Sequence, residues 1–137
     1  MGLTYEDLSS DTIYIRVGAL GIPPTSGLAA DSTGVKVSSN RFTFSSRHVK
    51  QLIMRSSISS IPSDATVRVG VYNVTKGSYV IYRDYAGTTG ENEDTTTTLP
   101  DDGDVVELRV EVTTASATSG ATFNLGYVTL MIDYGIS

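Results

Sequence analysis

The chain has no cysteine. Disulfide staples, thiolate metal sites and cysteine nucleophiles are therefore excluded, and the redox compartment stays open, because an oxidising environment permits disulfides without requiring them. There is no tryptophan and a single histidine, His48. The first absence removes the ring that sugar sites use most. The second rules out polyhistidine metal centres and leaves a serine triad only one base. No apolar run approaches the roughly 20 residues that span a bilayer. The opening MGLTYEDLSSD carries acids and no basic stretch, so it does not read as a secretory signal. Glu6 stands where a myristoylation motif wants serine or threonine. GxSxG, GxGxxG and GxxxxGK[ST] are all missing.

What is present is a sequence of 137 residues, 39% hydrophobic and only 18% charged. That is too apolar for a disordered chain and too sparsely charged for a coiled coil. A chain this long can bury about two-thirds of its unfolded surface and needs no staple to fold. Threonine, serine, 13 glycines and 8 tyrosines supply much of the remainder. Threonine and tyrosine suit a half-exposed pleated surface, and glycine suits tight turns. The net charge of −5 opposes sequence-independent nucleic-acid binding. One basic group, Arg41, Arg47, His48, Lys50 and Arg55, reads as the wet half of an alternation.

Period two dominates. Ile13, Ile15 and Val17 share one face and Tyr14 and Arg16 the other. Phe42 and Phe44 oppose Arg41 and Thr43; Val67, Val69 and Val71 oppose Arg68, Gly70 and Tyr72. Val106, Leu108, Val110 and Val112 point away from Glu107, Arg109 and Glu111. One dry face and one wet face describe an antiparallel sheet packed on a partner. Residues 49–58 read as a strand running into a loop before Pro62. Gly77 predicts a hairpin joining 66–74 to 79–84. Phe123, Leu125 and Tyr127 are odd, whereas Val128, Leu130, Ile132 and Tyr134 are even, which calls for a bulge near Gly126 or Tyr127 or for a strand that changes sheets. The expected architecture is all-β, one antiparallel Greek-key sandwich of the jelly-roll kind spanning 1–137. It has about eight strands, an N-terminal arm at 1–11 and long loops at 20–34 and 86–104. Thr4 could cap a turn at Tyr5–Ser9.

The acidic stretch TGENEDTTTTLPDDGD, residues 89–104, raises the question of calcium. Asp101, Asp102 and Asp104, joined by Glu91, Glu93 and Asp94 if the threonine run folds back as a strand, would be the ligands. The terminal glutamate of an EF-hand loop is missing, and a polar connection ending in a type I turn with Pro100 at its second position explains the same residues. Glu107 and Glu111 on one strand stand about 13 Å apart at ~3.3 Å per residue, beyond either glycosidase geometry. No catalytic residue is assigned and no cofactor is expected besides that calcium candidate. Asn73-Val74-Thr75 matches the glycosylation pattern incidentally.

The run IPSDATVRVGVYNVTKGSYV, followed by DVVELRVEVTT and ATFNLGYVTLMIDY, resembles the single jelly-roll structural proteins of viruses, of the capsid, decoration or spike type. The resemblance covers residues 35–135 at the level of strand spacing. It implies a subunit whose work is geometric, in self-association, coat stability or host attachment, located in a virion and touching copies of itself or other coat proteins. The contact residues expected are Leu20, Ile22 and Leu28, apolar side chains in a segment that otherwise reads as exposed. Two alternatives stand beside it. One is a carbohydrate- or receptor-binding module for cell-surface glycans, with Tyr82 and Tyr85 stacking on sugar and Tyr72 and Tyr79 nearby. The other is an extracellular filament subunit.

Overall fold

A computed structural model of the chain describes residues 13–136, so the expected arm at 1–11 and the turn at Tyr5–Ser9 lie outside the described residues. Ten strands follow: β1 (Ile13–Ile22), β2 (Thr25–Ala29), β3 (Gly34–Ser38), β4 (Phe42–Thr43), β5 (Val49–Ser59), β6 (Thr66–Asn73), β7 (Ser78–Ala86), β8 (Gly90–Thr96), β9 (Val105–Thr114) and β10 (Thr122–Ile136). No helix among the described residues is long and apolar enough to cross a membrane.

Two five-stranded antiparallel sheets result. The first runs β1-β10-β5-β8, with β2 also on β10; the second runs β3-β9-β6-β7, with β4 also on β9. β2 and β1 lie in line along one edge of β10, against Thr122–Leu125 and Val128–Ile136 respectively. β4 and β3 share an edge of β9 in the same way. Ten strands thus occupy eight positions, and apart from the β6–β7 hairpin each step to a new position crosses between sheets. That is the jelly-roll arrangement. About eight strands are expected and eight positions are found, but one of them, β8, lies in a stretch expected to be a loop. Pro23 and Pro24 split the first position, because proline has no N–H to give the ladder.

Two expected loops are strands instead. Residues 20–34 contain the end of β1, all of β2 and the start of β3, and 86–104 contain β8. Neither carries a strong apolar alternation. Each is held by its neighbour's backbone, β2 by β10 and β8 by β5 along Leu52–Ile58. The 101–104 turn closes with Asp104 N–H donating to Asp101 O at 3.0 Å, which begins it two residues later than a turn with Pro100 in second position. The hairpin closes as expected, with Gly77 N–H donating to Asn73 O at 2.8 Å.

The core lies between the sheets. Val67, Val69 and Val71 of β6, Val106, Leu108, Val110 and Val112 of β9, Leu52, Met54 and Ile58 of β5, and Phe123, Leu125, Val128, Leu130 and Ile132 of β10 are all buried there. Each aliphatic or aromatic side chain so placed contributes roughly 1.5–3 kcal/mol. The phase change in β10 is resolved by a bulge. Leu125 pairs with Ile58 and Tyr127 with Ser57, leaving Gly126 without an opposite residue. Both halves of the strand therefore turn their apolar side chains inward. A Cβ on Gly126 would stand 2.8 Å from Ser57 Oγ and 3.2 Å from Ser57 O. Replacing Gly126 with alanine is expected to cost about 1–3 kcal/mol, typical of forced overpacking, read as a lowered urea midpoint; an unchanged midpoint would contradict the need for glycine in this bulge.

Candidate functional site

The six carboxylates of the acidic stretch do not converge. β8 turns Glu91 and Glu93 to the outer face of the first sheet and Asp94 to the other. Glu93 accepts from Arg55 Nε at 2.6 Å, and Glu91 accepts from the Tyr127 hydroxyl. Together with Asn92 these residues line an open depression of about 440 Å³. Asp94 pairs with Arg83 of β7 at 2.5 Å, joining the two sheets along that side of the sandwich. Across the turn, Asp101 meets Lys76 Nζ at 3.1 Å, Asp102 accepts from Ser46 N–H, and buried Asp104 accepts from Asn73 Nδ2 at 2.8 Å and from Asp101 N–H at 3.1 Å. Among the described residues no three acidic or histidine side chains are grouped to hold a metal. Asn73 is itself buried with its amide nitrogen committed to Asp104, so the glycosylation match is closed in the folded state.

The tyrosines divide. Tyr85, expected to stack on sugar, is 2% exposed, and its hydroxyl shares a 2.7 Å hydrogen bond with buried Ser56 Oγ of the opposite sheet. It is a core residue because position 85 falls on the same side of the hairpin as Val67. Tyr82 stays on the outer face, 48% exposed. There it belongs to an array drawn from three strands. Arg68 lies over the Tyr82 ring at 3.9 Å and is held by Asp84. Tyr79 meets Tyr82 and Tyr72 edge-on, and Arg109 covers Tyr72 at 3.5 Å. Gly70 makes room for the Tyr79 ring, which a Cβ would approach to 2.6 Å. The Tyr79 hydroxyl donates to Glu111 at 2.6 Å, and burial together with that carboxylate pushes its pKa far above the ordinary phenol value. Glu107, expected on the wet face, is buried and takes two bonds from Arg109. Two arginines thus already sit over the three rings, Arg68 over Tyr79 and Tyr82 and Arg109 over Tyr72, and the carboxylates already have donors.

The expected contact residues are also placed differently. Ile22 is 4% exposed within the core, and Leu20 and Leu28 pack against it. They close one end of the sandwich, because β1 and β2 pair with β10 and turn these side chains inward. The basic group is dispersed: Arg55 is tied to Glu93, while Arg41, Arg47, His48 and Lys50 are exposed. The apolar surface lies elsewhere. Tyr14, Ile15 and Val17 of β1 are 69%, 47% and 44% exposed. Alternation names Ile15 and Val17 as dry residues, yet the core-facing side of β1 is left uncovered along this stretch.

No protein-family model and no curated sequence matches the chain. Among solved structures it is similar to a protein of the Bacillus endospore appendages, a family of disulfide-linked pili, with 13% identity over 92% of this chain and 89% of that one and a TM-score of 0.41. The VP2 subviral particle of infectious bursal disease virus gives 13% identity over 99% of this chain and 36% of that one, with a TM-score of 0.42. BiXyn10A CBM1, a carbohydrate-binding module, gives 12% identity over 85% and 95%, with a TM-score of 0.38. The resemblance to viral structural proteins is thus loose and one of β-rich build, and at these scores it carries no argument about activity.

Two measurements check the electrostatics. Because each acidic side chain of 89–104 has its own partner, millimolar calcium is expected to leave the melting temperature unchanged; a rise on titration would restore a calcium site. Asp133 is held below the usual carboxylate range chiefly by its hydrogen bond from Arg16, Asp64 by the Ala117 N–H and Asp102 by the Ser46 N–H. Their folded values lie below the unfolded value of about 4, so their stabilisation is complete above that pH and is lost as pH falls through the folded values. The melting temperature is expected to drop between about pH 5 and pH 2, a range set by these depressed carboxylates, and Asp133→Asn to drop less over the same interval. An equal or steeper drop in the variant would remove Asp133 from the account.

Proposed function

We propose that the protein is a non-enzymatic structural subunit of a virus particle or similar large assembly, working through self-association and surface contacts. The observation that carries this reading is where the apolar surface lies. Of the five large hydrophobic side chains exposed among the described residues, Tyr14, Ile15 and Val17 stand together on one edge strand. An exposed apolar strand edge invites pairing with another chain. The polar side chains support the same reading from the other direction. Catalysis by carboxylates needs two of them facing a common space; Glu107 is occupied by Arg109, Glu111 by Tyr79, Glu93 by Arg55 and Asp94 by Arg83. On this reading the molecule belongs in a virion and meets copies of itself or other coat proteins.

One observation favours a second reading. Tyr82 remains nearly half exposed on the outer face of the second sheet, where one ring face could receive a sugar. Multi-angle light scattering across a concentration series, paired with a glycan array, separates the two. A defined oligomer blind to sugars is expected; a persistent monomer that binds a glycan, and loses it on Tyr82→Ala, would replace the structural reading with the carbohydrate-binding one.

A further inference from the structure

The four sheet edges are not alike. Edge strands expose unpaired N–H and C=O groups, and proteins blunt them with charge, bulges or short length. β8 carries Glu91, Glu93 and Asp94. β7 is bulged at Val80 and carries Arg83 and Asp84. β3 has five residues and a bulge at Lys36. β1 is different. From Ile13 to Gly18 its register with β10 is unbroken, its bulge falling later, at Ala19. Arg16 is its one charge, and Asp133 neutralises it with bonds of 2.7 and 3.1 Å.

We infer that this edge pairs with β1 of a second copy, antiparallel about a two-fold axis through Ile15. The inference rests on the assembly reading above and names its contact. The backbone fixes the phase. Gly135 N–H donates to His48 O, away from β1. Tyr14, opposite Gly135 in the register, therefore directs its own N–H and C=O outward, as do Arg16 and Gly18 at alternate positions. Hydrogen-bonded pairing across the new edge must match these outward residues with one another. Centring on Ile15 sets Tyr14 against Arg16 of the second copy, twice by symmetry, and sets Ile13 against Val17 on the other face. Each cation then meets an aromatic ring and each apolar residue an apolar one. Centring on Arg16 would oppose two like charges, and centring on Val17 would run the ladder into the Ala19 bulge. Ile15 and its symmetry mate form a non-hydrogen-bonded pair, the closer of the two antiparallel types, with Cα atoms about 4.5 Å apart.

Because the chain has no cysteine, single-cysteine variants report this geometry directly. Ile15→Cys, checked for a wild-type circular dichroism spectrum, is expected to form a disulfide-linked dimer under mild oxidation as its main product. Val35→Cys, equally exposed on the other sheet, is expected to give none. Ile15→Lys is expected to halve the mass found by light scattering if the unmodified chain is a dimer, or to break larger oligomers at this contact. If the chain is oligomeric but Ile15→Cys gives no cross-link, or Val35→Cys cross-links to the same extent, the β1 contact is overturned and the assembly reading is left standing. A chain that is monomeric at every concentration and does not cross-link overturns both.

Discussion

The bulge at Gly126 is the constraint on which the first sheet depends. β10 is the partner of β1, β2 and β5, and it can serve all three only if its whole length faces the core. A regular strand would bury Phe123 and Leu125 and then expose Val128, Leu130 and Ile132. One extra residue corrects the phase. The residue must be glycine because Ser57 of β5 occupies the space a Cβ would take. With the phase corrected, the strand closes against β9 and β6 of the opposite sheet, whose alternation never breaks on the inner face.

Around that core the polar side chains are organised as local pairs. On the outer face of the second sheet arginines lie on tyrosine rings while carboxylates hold the arginines, in the cross-strand manner that supports sheets. Between the sheets Tyr85 meets Ser56 and Arg83 meets Asp94, so one long side of the sandwich is fastened. Among the described residues the opposite side has only the short β3 and β4 to face β1 and β2. The same asymmetry closes the molecule on one flank and leaves Ile15 and Val17 uncovered on the other.

Much of the fold was legible in the residues. The two-residue rhythm of 67–71 and 106–112 placed β6 and β9 and their inner faces, Gly77 placed the hairpin, and the odd-to-even shift after Leu125 placed the bulge. β2 and β8 were not legible. TSGLA and GENEDTT have too little apolar alternation to declare a face, and they are strands because β10 and β5 offer them unpaired backbone. The site fared less well. Tyr82 and Tyr85 stand three residues apart, so alternation alone puts them on opposite faces of β7, and the hairpin register, which sets Tyr85 opposite Val67, decides which of the two is buried. Glu107 looks wet by alternation and is buried beside Arg109.

The sequence by itself determined that this is an antiparallel β-protein without thiol chemistry, and which side of most strands is apolar. That information is local, since alternation needs only neighbouring residues. Tertiary structure alone decided which apolar sides are covered. Ile15 and Val17 carry the same signature as Val67 and Val69, but β6 lies under the middle of the opposite sheet and β1 lies at the margin of its own. Coverage depends on the extent of a partner surface assembled from distant segments, and no short window of sequence contains it.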